Sequence, residues 1–239
     1  MVRLVAAAAR LSEARIGAYA IIGGVAVSAR LEQTHRSTAD LDAVVDDLTV
    51  PPAIEVISML PTARPDPESP HRIFVEGIKV EIQGTEPLLP GDLTGLTEKQ
   101  TLYVGAHRYA LESATAVTLV AGDADVRATV PVATPGALVC MKLHAIQDRS
   151  PARGMDKRAS DAWDIYRLLL DLDRTGDVRE EIRDLDPLLR SAAAAALRKV
   201  FVDRAHQTSG WLRAGDDTMA SVRAEELEAL AVAVLTAID

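Results

Sequence analysis

Two aspartates, Asp40 and Asp42, stand one residue apart at the start of the apolar run 40–45, and they constrain this chain more than any other feature. The run has the length and composition of a core strand. Because side chains alternate along a strand, both carboxylates project from one face, about 6–7 Å apart. Two such charges repel each other unless a cation or a basic side chain lies between them. Mg²⁺ is the natural cation, because it binds through a few carboxylates together with substrate phosphates.

A third carboxylate, Glu81, lies in the alternating run 78–82. Glu81 and Lys79 share one face of this predicted strand, while Val80 and Ile82 point the other way. If this strand pairs with the aspartate strand, Glu81 joins the two aspartates. It could then polarise an acceptor hydroxyl while metal ions hold a triphosphate.

The glycine pair Gly23-Gly24 follows the short apolar run 19–22 and precedes a helical pattern at 25–31. A strand that ends in glycines before a helix presents free backbone N–H groups and the positive end of the helix to an anion. Glycine also permits a close approach that a β-carbon would block. The pair therefore predicts an anion site, typical of phosphate binding.

The remaining patterns predict a mixed α/β first half and a helical second half. Predicted helices lie at residues 4–16, 25–31 and 51–60, and predicted strands at 19–22, 40–45, 73–75 and 78–82, with two or three more in 103–120 and 126–132. Thr134-Pro135-Gly136 is typical of an N-cap with proline at the first helical position, and helical sequence follows almost to the end. We predict an α/β lobe with a mixed sheet over residues 1–134 and an α-helical lobe over 135–239 that completes the active site.

The formal charge of −9, from 26 basic and 35 acidic residues, argues against nucleic-acid binding by bulk electrostatics. The net charge does not exclude a local basic patch. Four basic residues surround one predicted loop: Arg149, Arg153, Lys157 and Arg158. They form either a solvated link or a patch for triphosphate or RNA.

The single cysteine, Cys140, excludes an internal disulfide and lies in an apolar stretch typical of a buried structural thiol. The apolar run at 4–9 is too short for a signal peptide, and no segment has the length of a membrane span. We therefore expect a soluble, cytoplasmic protein.

These motifs resemble those of the polymerase-β-like nucleotidyltransferases and, more narrowly, the AbiEii-type toxins of type IV toxin–antitoxin systems, which include the mycobacterial MenT toxins. The resemblance spans about residues 16–170. It rests on Gly23-Gly24-Val25-Ala26-Val27, Arg36-Ser37-Thr38-Ala39-Asp40-Leu41-Asp42, Lys142-Leu143-His144-Ala145 with Arg149, and the run from Asp156 to Tyr166. The third carboxylate is usually aspartate in that family and is Glu81 here.

The resemblance implies a role for each matching position. Asp40, Asp42 and Glu81 would bind Mg²⁺, and the catalytic residues would be Asp40, Asp42, Glu81, Lys142, Asp161 and Asp164. The NTP would be bound by Gly23, Gly24, Arg36, Thr38, Lys142 and Arg149. Lys142 would neutralise phosphate charge, and Asp161 or Asp164 would orient it or contact the nucleotide.

The implied function is transfer of a nucleotide from an NTP to an acceptor, which the family suggests is the 3′ end of tRNA. Translation and growth would stop, and a cognate antitoxin would be the protein partner. Two alternatives stay open. One is a small-molecule nucleotidyltransferase of the antibiotic-modifying kind, which the acidic balance favours. The other is a catalytically silent module that binds nucleotide or antitoxin.

Overall fold

The computed structural model describes residues 1–31, 38–46, 50–85, 93–122, 125–149, 155–215 and 219–238, with the backbone alone at 155 and 156. The chain divides into two compact units. The first comprises Met1–Pro90 and His107–Thr134, and the second comprises Gly91–Ala106 and Pro135–Asp239. Each unit has its own buried residues, and all elements but one helix lie within a single unit.

The first unit is built on a seven-stranded mixed sheet, which confirms the predicted fold class. The strands are β1 (Tyr19–Ile22), β2 (Asp40–Asp46), β3 (Arg64–Pro65), β4 (Arg72–Val75), β5 (Ile78–Thr85), β6 (Thr115–Val120) and β7 (Arg127–Val132). Their order is β3-β4-β5-β2-β1-β7-β6. The pairs β1/β7 and β2/β5 are parallel, and the other pairs are antiparallel.

Three helices of the first unit are α1 (Val2–Glu13), α2 (Gly23–Arg30) and the short α3 (Ala53–Ser58). Helix α1 packs on β7 and β2, and α2 packs on β1 and β2. Leu4, Ala8 and Leu11 recur at helical spacing along α1 and are buried. Burying each such leucine contributes about 2 kcal/mol, so an apolar stripe holds α1 on the sheet.

The two or three strands predicted in 103–120 and 126–132 are present as two, β6 and β7, but residues 103–113 belong to a helix that was not predicted, α4 (Glu98–Ser113). Leu102, Ala106 and Ala110 recur every fourth residue and are fully buried, which is the pattern of a helix face. Its N-terminus carries a reciprocal cap, in which the Thr97 N–H donates to Gln100 Oε1 at 3.0 Å and the Gln100 N–H donates to Thr97 Oγ1 at 3.4 Å. The division between the two units falls within this helix.

All elements of the second unit among its described residues are helices, as predicted for residues 135–239. Besides the first part of α4 it contains α5 (Pro135–Asp148), α6 (Met155–Asp173), α7 (Asp177–Arg183), α8 (Pro187–Leu197), a π-helix (Arg198–Val202), α9 (Ala205–Arg213) and α10 (Ala224–Ile238). Helix α5 packs along α6, and α6 packs against α9. None of the described helices is long and apolar enough to cross a membrane.

Cys140 lies fully buried on α5, and burial raises the pKa of its thiol to about 12. The thiol is therefore protonated at neutral pH and unreactive, as expected of a structural cysteine.

Candidate active site

The pairing of β2 with β5 brings the three predicted carboxylates onto one face of the sheet. Asp42 lies opposite Glu81 in the parallel register, and Asp40 lies opposite Lys79. Between them, Leu41 and Val80 point into the core and are fully buried. Because neighbouring strands lie about 4.8 Å apart, the side chains of Asp42 and Glu81 are adjacent. The strand that carries Glu81 therefore pairs with the aspartate strand, which is what the grouping of the three carboxylates requires.

Two basic side chains lie against these carboxylates. Lys79 Nζ is 2.5 Å from Asp40 Oδ2, and a guanidinium nitrogen of Arg72 is 3.8 Å from Glu81 Oε2. Arg72 also contacts Asp66 at 3.3 Å. These side chains are all partly exposed, so water screens the ion pairs and each contributes little to stability. The acidic face is thus balanced by cations that solvent can reach.

The glycine turn meets the aspartate pair at Gly23. Ile22, the last residue of β1, pairs with Asp42, so the turn that follows lies against the Asp42 carboxylate. Gly23 has φ +69°, and a β-carbon there would lie 2.1 Å from Asp42 Oδ2. No side chain fits at this point without displacing the carboxylate. Gly24 follows, buried in the first turn of α2.

Thr38 and Arg36, both assigned to the nucleotide, precede the aspartate strand. The Thr38 hydroxyl donates to the Asp40 carbonyl at 3.4 Å, and Thr38 also lines a cleft of about 180 Å³ with residues of α1, α2 and β6. Arg36 lies outside the described residues. Their roles toward a triphosphate stay predictions.

A second charged cluster lies within the helical unit, where α5 packs on α6. Lys142 Nζ lies 2.8 Å from Asp161 Oδ1 and 2.8 Å from Asp164 Oδ2. Asp161 Oδ2 also accepts hydrogen bonds from Arg149, at 3.0 Å from Nε and 2.7 Å from an NH₂ nitrogen. Lys142 on α5 and Arg149, the residue after its last turn, therefore both contact Asp161, although the helix predicted to carry both ends at Asp148.

Burial alone would lower the pKa of Lys142, but the attraction of Asp161 and Asp164 outweighs it and holds the pKa above its ordinary value. Lys142 is therefore charged at neutral pH. Asp161 and Asp164 are 3% and 0% exposed, so these charges are neutralised within the protein and not by water.

The sequence model of the family described as nucleotidyl transferase AbiEii toxin, type IV TA system, matches residues 9–231. The chain belongs to the AbiEii nucleotidyltransferase toxin family. A search of curated proteins found no match. The family match extends beyond residue 170, where no motif is apparent in the sequence alone, and the narrower likeness to the MenT toxins stays a prediction.

Membership in the AbiEii family supports nucleotidyl transfer as the activity, an NTP as a substrate and an antitoxin as a partner. Two basic neighbours of the carboxylates, Lys79 and Arg72, were given no role by the sequence analysis. Lys79 was expected on the Glu81 face, but its contact with Asp40 was not foreseen. Arg72 was missed, although the two-residue turn Glu76-Gly77 fixes the hairpin register that sets Arg72 opposite Glu81.

The carboxylates of the sheet cluster suit a hard divalent cation. Within the described ranges no three Asp, Glu, His or Cys side chains converge as they would in a preformed metal cage. Asp40, Asp42 and Glu81 nevertheless offer oxygen donors alone, on one accessible face. Mg²⁺ needs only one or two carboxylates when substrate phosphates and waters complete its coordination. The donor set therefore fits Mg²⁺ bound together with a nucleotide.

Proposed function

We propose that this toxin transfers a nucleotide from an NTP to the 3′ end of tRNA in a Mg²⁺-dependent reaction. The observation that carries the proposal is the adjacency of Asp42 with Glu81 on one side and with the Gly23 turn on the other. Acidic metal ligands and a turn free of side chains are the two halves of a metal–triphosphate site. Both occur here on neighbouring strands of one sheet.

Asp40 and Asp42 are the residues that would hold Mg²⁺, with Glu81 as the third carboxylate. A bound divalent cation supplies positive charge that stabilises the phosphate oxygens as negative charge shifts during transfer. The exposed Lys79 ammonium balances Asp40 in the absence of metal. Because this pair is accessible to water, Lys79 can give up its contact at small cost.

Glu81 is the proposed acceptor of the proton from the terminal ribose hydroxyl. As the O–H bond breaks, the hydroxyl oxygen forms a bond to the α-phosphorus of the NTP. The bond from that phosphorus to the bridging oxygen breaks in line with the attack, and pyrophosphate leaves. Arg72, 3.8 Å from Glu81, places a positive charge beside this carboxylate.

The backbone N–H groups at Gly23 and Gly24 are the proposed contacts for the triphosphate, together with Thr38 and Arg36. Helix α2 begins at Gly23, and its N-cap residue, Ile22, makes no side-chain hydrogen bond to the first turn. The N–H groups and the dipole of this helix end favour a phosphate there.

In the helical unit, Asp161 and Asp164 are proposed to keep Lys142 charged and fixed in orientation, with Arg149 held through Asp161. Lys142 keeps 11% of its side chain exposed, which leaves part of it accessible to a phosphate oxygen. A lysine held by two carboxylates is restricted to few rotamers, so it loses little entropy when a phosphate binds.

Modification of the tRNA 3′ end would block aminoacylation and stop growth, and the antitoxin of the family would relieve the arrest. Because NTPs and tRNA are cytoplasmic, we propose that the protein acts there. The charge of −9 favours one competing function, transfer to a small molecule.

The test is incubation of the purified protein with each labelled NTP, Mg²⁺ and total tRNA, beside the isosteric variant Asp42→Asn. Label on tRNA from the parent, and none from the variant, supports the proposal and names the donor nucleotide. Transfer only to small-molecule acceptors would instead favour the competing function. Absence of any transfer and of any NTP binding would overturn both.

A further inference from the structure

A separate concave pocket of about 560 Å³ lies within the helical unit. Its walls come from the N-terminus of α4, the end of α5, the start of α6, the π-helix and α9. The lining residues that matter here are Lys99, Arg158, Lys199, Arg204, Gln207 and Trp211. Lys142, Asp161 and Asp164 do not line it, so the pocket is distinct from the buried lysine cluster.

The pocket concentrates positive charge in a chain whose net charge is −9. Four basic side chains line it against one acidic side chain, Glu98. Lys99 is balanced by Asp148 at 2.5 Å. Lys199 and Arg204 are exposed, and neither forms an ion pair with any residue that the structure describes. A polyanion would therefore be attracted to this pocket and repelled by much of the remaining surface.

Among the basic side chains of this pocket, Arg158 is the one that two contacts hold in place. Its guanidinium lies 5.4 Å from the centre of the Trp211 ring, and it donates a hydrogen bond to the Arg149 carbonyl. Neither contact removes the positive charge, and among the described residues Arg158 has no carboxylate partner. A half-buried cation held in this way is ready to bind an anionic oxygen with little loss of entropy.

The π-helix supplies Lys199 and Val200 to the pocket wall. At its end the Asp203 N–H donates to the Arg198 carbonyl at 2.9 Å, five residues back. The buried Thr208 hydroxyl donates to the Val200 carbonyl at 2.7 Å. Wider turns of this kind are rare and occur often at functional sites. These two hydrogen bonds thus hold the backbone of the wall that carries Lys199.

We propose that this pocket binds the phosphate backbone of the acceptor RNA, away from the reacting end. The inference rests on the proposed function, since it takes the acceptor to be RNA. Cations from three helices and from the turn before α9 surround one opening, and such an arrangement suits successive phosphates of a polynucleotide. The amides Gln147 and Gln207 on the same walls can donate further hydrogen bonds to phosphate or ribose oxygens.

The test compares two double variants with equal loss of charge. Lys199→Ala/Arg204→Ala removes two exposed cations of the pocket, and Arg174→Ala/Arg213→Ala removes two exposed cations of the same unit outside it. Binding of labelled tRNA is measured by fluorescence anisotropy at several salt concentrations. NTP binding and the KM values for tRNA and NTP are measured alongside.

We expect the pocket variant to bind tRNA about tenfold more weakly, with a salt slope smaller by about 2. Its KM for tRNA should rise while its KM for NTP stays within about twofold. The control variant should bind tRNA nearly as the parent does.

Equal tRNA binding by the two double variants would overturn the inference and leave the proposed function standing, provided the parent still labels tRNA. A rise in the KM for NTP, with tRNA binding unchanged, would assign the pocket to a free nucleotide and also overturn it. If the parent neither binds nor labels any RNA, the proposed function fails and this inference fails with it.

Discussion

The two charged clusters of this toxin differ in how much water reaches them. Asp40 and Glu81 in the sheet unit keep 32% and 37% of their side chains exposed. Asp161 and Asp164 in the helical unit keep 4% and 0%. Both clusters pair carboxylates with a lysine, and the Lys79–Asp40 distance of 2.5 Å is no longer than the 2.8 Å contacts of Lys142.

The difference in exposure determines whether a charged side chain can exchange its partner for a substrate charge. An exposed ion pair contributes about 0–1 kcal/mol, so a metal ion or a phosphate can replace one partner cheaply. Breaking a buried pair by removing one partner costs about 3–5 kcal/mol, because a charge is left without water or a partner. The sheet cluster is therefore suited to exchange its cation for substrate or metal, and the helical cluster to hold α5 on α6 and keep Lys142 in a fixed orientation.

Removing one carboxylate of the sheet cluster should have the largest effect, and it should fall on activity. Asp42→Asn keeps the shape of the side chain but removes a metal ligand. We expect transfer to fall by about 10³-fold or more, with the free energy of unfolding changed by less than about 1 kcal/mol. Single-turnover assays and urea denaturation measure the two quantities. An active Asp42→Asn variant would exclude this residue as a metal ligand.

Removing the cation of the helical cluster should act on stability. Lys142→Met leaves Asp161 and Asp164 buried without their lysine, and we expect a loss of about 3 kcal/mol in urea denaturation. Because the pKa of Lys142 is raised on folding, its contribution is fully present below the unfolded pKa of about 10.4 and is lost only as pH rises through the folded pKa. The loss should therefore be constant from about pH 6 to 9.

The matched control is Lys79→Met, which breaks the exposed pair of the sheet cluster and should cost less than about 1 kcal/mol. Equal destabilisation by the two lysine variants would remove the distinction between the clusters.

Gly23→Ala should affect both stability and activity, because a β-carbon would lie 2.1 Å from Asp42 Oδ2 at φ +69°. We expect a loss of about 2–3 kcal/mol and a marked drop in transfer. Gly95→Ala is the control, since Gly95 has φ +86° but no atom within 4 Å of the added carbon. It should show the backbone strain alone, about 1 kcal/mol, with activity retained. Equal effects of the two variants would mean that the Asp42 contact is unimportant.

The smallest expected effect concerns competition between Lys79 and metal. Lys79→Met removes the ammonium from Asp40, so less Mg²⁺ should be needed for half-maximal transfer. An exposed pair of at most about 1 kcal/mol corresponds to a change of up to about fivefold. A Mg²⁺ titration of activity measures it. An unchanged or increased Mg²⁺ requirement would show that Lys79 assists the reaction and does not compete with the cation.

Local patterns in the sequence predicted much of the sheet unit. The strand at Tyr19–Ile22 has the predicted bounds, and the turn at Glu76-Gly77 predicted the hairpin of β4 with β5. Helix α4 was not predicted, because Tyr103, Val104 and Tyr109 are residues typical of strands. The signal for the helix, the cap formed by Thr97 and Gln100, lies before that stretch.

Contacts between residues far apart in sequence were harder to predict. The alternation of side chains predicted which residues share a strand face with Asp42 and which share one with Glu81. Only the pairing of β2 with β5 makes these two carboxylates neighbours. Likewise, spacing put Lys142 on a helix face, and only the packing of α5 on α6 shows that Asp161 and Asp164 enclose it. Such contacts depend on tertiary structure, which no short window of sequence determines.

The central claim is that the exposed carboxylates bind metal with nucleotide, and Mn²⁺ tests it directly because its electron paramagnetic resonance signal reports binding without turnover. Parent protein, Asp42→Asn and Asp171→Asn would be titrated with Mn²⁺ in the presence of each NTP; Asp171 pairs with Arg167 within α6. We expect nucleotide-dependent Mn²⁺ binding by the parent and by Asp171→Asn, and binding at least about tenfold weaker by Asp42→Asn. Equal binding by all three proteins would contradict the central claim.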